Sequence, residues 1–382
     1  MKIAIFTDTY SPQINGVVKS LNKLLEYFDE NNIDYRVFAP RFDGTHSTQK
    51  VRRFLSYKII FYPQCRFTVP NYFKIRKELD DFKPDIIHVL TEFTVGLCGF
   101  RYAKTRNISV VSSYETNIPQ YMQYYHLKFL EEKTWKFFKW FHSSSKKCYC
   151  PSKATLKLLK SKGLKNVAVW DRGIEIEKFS PVMRDYNLRK KLNIDSKVVF
   201  IYVGRISPEK NLRLMVNVAK KLDVKYKDKI HFLMVGDGPS LKELRNSAPS
   251  NMTFTGFLGG LELSKIYASA DIFMFTSTTE TLGLVILEAM ASGLPVISCN
   301  SGGVTDNLVD GYNCISCREK VEDDFYNAAE TLILNNTLRA ELSENARNYA
   351  IHKNWGNAFE KLVKDYEEII NMKSEEKIAV SP

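Results

Sequence analysis

FTSTTETLGLVILEAMASGLPVISCNSGG, Phe275 to Gly303, reads as a strand end, a polar loop, a helix, a second strand and a glycine pair. Phe273-Met274-Phe275 is apolar, and Thr276 to Thr281 is a run of hydroxyl residues around one acid, Glu280. Gly283 to Ala291 fits a helix, and Gly293-Leu294-Pro295 punctuates before the strand Val296-Ile297-Ser298. In an open parallel sheet, ligands bind where a loop leaves a strand and enters a helix. Backbone N–H groups of Thr281, Leu282 and Gly283 at such a helix start suit a phosphate. Glu280 before the helix and Glu288 two turns inside it can accept hydrogen bonds from sugar or ribose hydroxyls. A plain βαβ unit with solvated acids has the same spacing, so the surroundings must decide between them.

The chain has 382 residues, room for two α/β domains with separate cores. Met1-Lys2 leads straight into the apolar run Ile3 to Phe6, so no signal peptide is expected. No apolar run approaches the roughly 18 residues of a membrane span. Seven cysteines without regular spacing suggest reduced thiols and a cytoplasmic setting. Cys314-x-x-Cys317 and Cys148-x-Cys150 lack the second pair that a zinc site needs, and both read as packing residues.

Charge is distributed unevenly. Residues 1–172 carry 29 basic against 15 acidic residues, and the remainder carries 26 against 28. Gly44 to Lys77 holds eight basic residues and no acid, interleaved with Phe54, Tyr57, Phe61, Tyr62, Phe67, Tyr72 and Phe73. Lys133 to Lys165 holds ten lysines and no acid, with the aromatic run Thr134 to His142 inside it. Basic residues among aromatics suit an anionic membrane surface. Nucleic acid can use the same features, and so can a solvated helix with an aromatic core face. Both stretches fall in one half of the chain, which favours the anionic surface.

Short apolar runs alternate with helical stretches throughout, the pattern of a parallel sheet. In the first half, strands are expected at Ile3–Phe6, Tyr35–Ala39, Asp85–Leu90, Val110–Ser113, Lys146–Cys150 and Val167–Trp170. The loop Thr7 to Gly16 is long for a βα turn, and Asn15-Gly16 allows close backbone approach to a ligand. His88, Thr91 and Glu92 lie at a strand's carboxyl end, and Tyr114, Glu115 and Asn117 follow another. Glu115 is expected to point into the same crevice as Gly16 and His88. Asp171-Arg172-Gly173 reads as the domain hinge. The domains are then 1–172 with a returning helix 356–372, and 173–355, followed by a frayed tail 373–382.

In the second half, Val198 to Gly204 opens into Arg205-Ile206-Ser207-Pro208-Glu209-Lys210-Asn211. Arg205 as a fork and Lys210 as a point charge can converge on a diphosphate. Phe232 to Val235 leads into Gly236-Asp237-Gly238-Pro239, but the sixth position of a dinucleotide fingerprint is Leu241. That argues against a nicotinamide-dependent dehydrogenase. Gly256-Phe257-Leu258 follows the strand Met252 to Thr255 and can present backbone groups and an apolar wall to a base.

Taken jointly, TDTYSPQINGVV, Gly204-Arg205-x4-Lys210, VGDGP, the Glu280-x7-Glu288 element with its setting, and SGG resemble the family-4 retaining glycosyltransferases of the GT-B fold along nearly the whole chain. HVLTEFTVGL, SSYETNIPQYMQYYHL and VWDRGIEIEKFSP look like the lipid-directed branch: mannosyltransferases, diacylglycerol glucosyltransferases and sulfoquinovosyltransferases. The resemblance implies two Rossmann-like, doubly wound domains facing across a cleft, with a C-terminal helix crossing back. Arg205 and Lys210 would bind the donor diphosphate, with Gly16 giving it a backbone contact. Glu288 would hold the ribose and Glu280 the donor sugar, with Thr281, Leu282 and Gly283 in support. Gly204, Gly236, Phe257 and Leu258 would complete the donor side. Asn15, His88, Thr91, Glu92, Tyr114 and Asn117 would face the acceptor. Glu115 stands where many relatives carry histidine and can only accept a hydrogen bond when ionised.

No D-x-D triplet occurs, so no metal and no cofactor beyond a UDP- or GDP-hexose co-substrate is expected. The expected activity is retaining transfer of a hexose to a lipid or glycolipid, at the inner face of the membrane and without nucleic acid. Transfer to a soluble sugar, and a nucleic-acid-binding or scaffold protein that kept the fold, are the competing readings. Sedimentation with anionic vesicles separates the lipid and soluble-sugar readings, and the intact diphosphate constellation argues against the third.

Overall fold

The computed structural model describes residues 1–58, 66–125 and 127–379. Phe61, Tyr62, His126 and the last three residues lie outside that description. The chain divides into two compact units, one formed by the residues up to Arg172 and from Trp355 onward, the other by Gly173–Asn354.

The first unit runs β1 Lys2–Phe6, α1 Gly16–Glu30, β2 Asp34–Pro40, β3 Val51–Phe54, β4 Ser56–Lys58, β5 Arg66–Thr68, α2 Tyr72–Phe82, β6 Ile86–Val89, α3 Thr94–Arg106, β7 Ser109–Ser113, α4 Ile118–Tyr121, α5 Glu131–Ser143, β8 Lys147–Cys150, α6 Lys153–Ser161 and β9 Val167–Val169. Its parallel sheet has the order β3-β2-β1-β6-β7-β8-β9. The period-2 alternation of β1 sets two faces. Ile3 and Ile5 pack with Leu21, Leu24 and Phe28 of α1, whereas Ala4 and Phe6 pack with Ile75, Leu79 and Tyr102 of α2 and α3. β3 and the antiparallel hairpin β4–β5 fall within the basic stretch and have no counterpart among the expected strands.

The second unit runs α7 Tyr186–Lys191, β10 Val198–Val203, α8 Leu212–Tyr226, β11 Ile230–Val235, α9 Leu241–Ser247, β12 Met252–Gly256, α10 Gly260–Ala268, β13 Ile272–Phe275, α11 Leu284–Ala291, β14 Val296–Cys299, β15 Cys314–Cys317, α12 Glu322–Leu334 and α13 Asn336–Ile351. Its parallel sheet has the order β12-β11-β10-β13-β14-β15. Cys314 and Cys317 sit buried in its core, where burial pushes their thiols up to about 11 and about 12.

α14, Trp355–Ala379, then returns to the first unit, where Phe359, Leu362, Tyr366 and Ile369 join the α1 face of the core. The helix continues past Lys373, where fraying was expected, through Ala379.

In each sheet the strand order reverses direction at one place, between β1 and β6 and between β10 and β13. Such switch points open a crevice at the strands' carboxyl ends. The motif-bearing loops leave the sheet at these two points.

Candidate active site

In the second unit the neighbouring strands β10 and β13 release the loops Gly204–Asn211 and Thr276–Gly283 side by side. The Lys210 ammonium donates to Glu280 Oε1, and both side chains are mostly buried. Ser277 Oγ donates to the same carboxylate oxygen at 3.0 Å. The hydroxyl run has a structural reason: Thr276 Oγ1 donates to Lys210 O at 2.9 Å, tying one loop to the other. Glu209 is buried in the 3-10 turn Pro208–Lys210, with Ser207 Oγ donating to its Oε1 at 2.6 Å. Arg205, in the same loop, is partly buried, and its carbonyl accepts from Tyr202 OH at 2.8 Å.

α11 starts later than expected. Gly283 is its N-cap, at φ 76°, a left-handed conformation that a side chain adopts only with strain. The first-turn N–H groups therefore belong to Leu284 and Val285, and Thr281 to Gly283 lie in the loop. Gly303 braces that loop. Its N–H donates to Glu280 O at 2.6 Å, and a Cβ there would fall 1.9 Å from Thr281 O. The SGG triplet is thus a backbone-packing motif behind the acid. Glu288 is buried inside α11, where Tyr267 OH from α10 donates to its Oε2 at 3.0 Å. Burial first, then the Glu288 charge and this hydrogen bond, hold the Tyr267 phenol well above its ordinary pKa, so it stays a donor.

Gly204 and Gly236 close the ends of β10 and β11, Gly204 N donating to Val235 O at 3.0 Å and Gly236 N to Gly256 O at 2.8 Å. Phe257, exposed, and Leu258, half-buried, follow the edge strand β12, two strands away from β10.

In the first unit Asn15 caps α1, its Oδ1 accepting from Val18 N at 2.9 Å, and leaves Gly16 exposed at the helix start. Glu115 Oε1 accepts from Arg172 Nη2 at 2.5 Å. Arg172 also donates to Ser20 Oγ of α1 at 3.1 Å and stacks 3.7 Å from the Trp170 ring centroid. The pair thus ties Glu115 to the helix that Gly16 opens.

Several acceptor-side assignments need correction. His88 is fully buried, its Nδ1 bonded to Tyr366 OH of α14 and its Nε2 to Ser113 Oγ at 2.8 Å. Burial drives its pKa down to about 3, with the Arg172 charge adding to the shift. It is a neutral core residue that fastens α14. Glu92 is buried against His142 Nε2 at 3.0 Å. Burial opposes protonation of His142, but Cys148 and Glu92 outweigh it and hold its pKa above the ordinary value. Tyr114 is buried, its OH donating to Asn117 Oδ1 at 2.9 Å, and Asn117 caps α4. Thr91 Oγ1 donates to Asp8 Oδ2 at 2.8 Å and accepts from Asp8 N at 2.6 Å. These side chains shape the loops and spend their polar atoms inside the unit.

Asp8, Arg172, Glu209 and Tyr267 were missed as site-supporting residues. Asp8, Arg172 and Tyr267 are each separated from their partners by at least one strand, whereas Glu209 meets Ser207 two residues before it. Tyr267, for example, lies on the helix before β13, whereas Glu288 lies on the helix after it.

The chain is also similar to known proteins. Residues 185–349 match the family model described as glycosyl transferases group 1, and residues 14–178 match glycosyltransferase family 4. A GDP-mannose-dependent alpha-mannosyltransferase of Corynebacterium glutamicum is 29% identical, covering 97% of this chain and 89% of its own. An alpha-monoglucosyldiacylglycerol synthase of Streptococcus pneumoniae is 32% identical, covering 78% of this chain and 71% of its own. The solved sucrose-phosphate synthase of Thermosynechococcus elongatus superposes with a TM-score of 0.80 at 15% identity, covering 97% of this chain and 99% of its own, a likeness of fold. With a switch-point crevice in each sheet and the Lys210–Glu280 pair at one of them, the chain is a glycosyltransferase enzyme and belongs to family 4 of the GT-B fold.

Proposed function

We propose that this enzyme is a retaining, metal-independent α-hexosyltransferase. It moves a mannose- or glucose-type residue from UDP- or GDP-hexose to a membrane lipid or glycolipid, as a peripheral protein on the inner face of the membrane. The observation that carries the reading is the Lys210–Glu280 pair at the carboxyl ends of β10 and β13, with Glu288 held by Tyr267 one helix further on. The two named relatives, one using GDP-mannose and one making a glucosyldiacylglycerol, support the substrate classes. Among the described residues no helix is long and apolar enough to cross a membrane.

Arg205 and Lys210 take the donor diphosphate, Glu288 the ribose hydroxyls and Glu280 the hexose. An ammonium carries three N–H donors, so Lys210 can serve Glu280 and a phosphate oxygen together. As the bond from the anomeric carbon to the phosphate oxygen breaks, negative charge grows on that oxygen. A cation already anchored by Glu280 stabilises it without reorganising. The acceptor hydroxyl forms its bond to the anomeric carbon on the face the phosphate leaves, and its proton passes to the departing phosphate oxygen. The chain then needs no separate general base.

The test is a Lys210→Ala variant, with the fold checked by circular dichroism. Transfer to a diacylglycerol or glycolipid and donor hydrolysis both fall, by about 100-fold or more, as for loss of a transition-state charge contact. Unchanged turnover sinks the assignment, and a β-linked product from an α-donor sinks retention.

A further inference from the structure

The hairpin β4–β5 turns the usual burial pattern inside out. Ser56 and Thr68 are buried, whereas Leu55, Tyr57, Phe67 and Val69 are between 49 and 56% exposed. Tyr57 lies opposite Phe67, and Ser56 opposite Thr68. Val69 N donates to Leu55 O at 2.8 Å, extending the same register. Alternation then gathers the four apolar side chains on one face. A two-stranded element ordinarily turns such a face to the core. Phe73, on the first turn of α2, is 81% exposed.

The stretch that carries this patch is basic. Residues 44–77 contain no acid, and Lys58, Lys74 and Lys77 are exposed. α3 packs against both β5 and α2, with the Arg101 guanidinium 4.4 Å from the Tyr72 ring centroid. Its Phe100 ring lies 5.8 Å from that of Trp140, itself half-exposed on the lysine-rich α5. The two basic, aromatic stretches of the sequence are thereby linked through one helix of the first unit.

We propose that the outer face of hairpin β4–β5, with the first turn of α2, docks the first unit on an anionic lipid bilayer. The inference rests on the lipid-acceptor reading above and locates where that enzyme meets the membrane. The apolar quartet and Phe73 enter the headgroup layer, while the lysines pair with lipid phosphates. A second copy of this chain fits less well, because a two-fold contact would set the basic surface against itself. Nucleic acid has no use for the aliphatic Leu55 and Val69.

The full chain is floated with vesicles of phosphatidylcholine containing roughly a third phosphatidylglycerol, and with phosphatidylcholine alone. Wild type is expected to rise with the anionic vesicles and to bind the neutral ones more weakly. A Tyr57→Ser/Phe67→Ser variant and, separately, a Phe73→Ser/Lys74→Glu variant each lose about tenfold in anionic-vesicle affinity. Both keep transfer to a detergent-dispersed acceptor, which shows that they fold. Variants that bind vesicles as wild type does overturn the proposal, as does a wild type that ignores anionic vesicles. So does a variant that merely turns a dimer into a monomer in vesicle-free buffer. Detergent-phase transfer that persists while wild-type flotation fails sinks the docking face alone. Loss of both sinks the acceptor reading as well.

Discussion

Glu288 owes its position to a residue on another helix. Tyr267, fully buried and held protonated, fixes one carboxylate oxygen and so orients the other. On the proposed reading that carboxylate meets the ribose, far from the bond that breaks. A Tyr267→Phe substitution is therefore expected to raise the donor KM by about tenfold, the worth of one hydrogen bond to a charged group, with kcat changed less. Steady-state kinetics with the nucleotide sugar varied would show it. An equal fall in kcat and kcat/KM would instead mark Tyr267 as part of the chemistry. The places of Lys210 and Glu280 beyond β10 and β13, and of Glu288 in the helix after β13, were legible in the sequence from the apolar runs that form those elements. Tyr267 and Arg172 were not, because each meets its partner from across at least one strand. His88 misled for the opposite reason: its place at a strand end is right, but its ring points into the core toward α14.

Among the elements, α3 is capped from a distance. Asp8, in the loop after β1, accepts from Thr94 Oγ1 at 3.0 Å and from Val95 N at 2.9 Å, at the start of that helix. Burial is the largest influence on its carboxyl and raises it from 3.8 to about 6, against those hydrogen bonds. A carboxyl raised on folding binds more protons in the native state. Its contribution to stability is present below about pH 4 and is lost as pH rises through about 6. Relative to wild type, Asp8→Asn should gain about 1.4 kcal/mol per pH unit across that window and level off above it. Urea unfolding at a series of pH values measures this difference, and parallel curves would refute it. The long strands and α1 were plain from periodicity, whereas β3 and the hairpin were not. Both lie in a stretch whose charged residues are all basic, and the hairpin's apolar positions face outward.

At the scale of the molecule, the first unit is discontinuous in sequence. α14 fills the α1 face of its core with Phe359, Leu362 and Tyr366, whereas the second unit is one continuous segment. Residues 173–354 expressed alone should melt cooperatively. Residues 1–172 alone should lack a cooperative transition, because the surface that α14 covers is apolar, and linking residues 355–379 to them should restore it. Calorimetry of the three fragments decides, and a sharp melt of 1–172 by itself would refute the account. The two-domain α/β fold was readable from the repeated strand–helix alternation, and the charge split between the halves from composition alone. What composition could not supply is how the basic, aromatic stretches lie, since that depends on register in a short hairpin and on α3 between them.

The return of α14 also bears on how the enzyme is made. During synthesis the ribosome releases the second unit whole before the closing helix of the first has emerged. The half translated first is the half completed last, so an interrupted message leaves a finished second unit tethered to an unfinished partner.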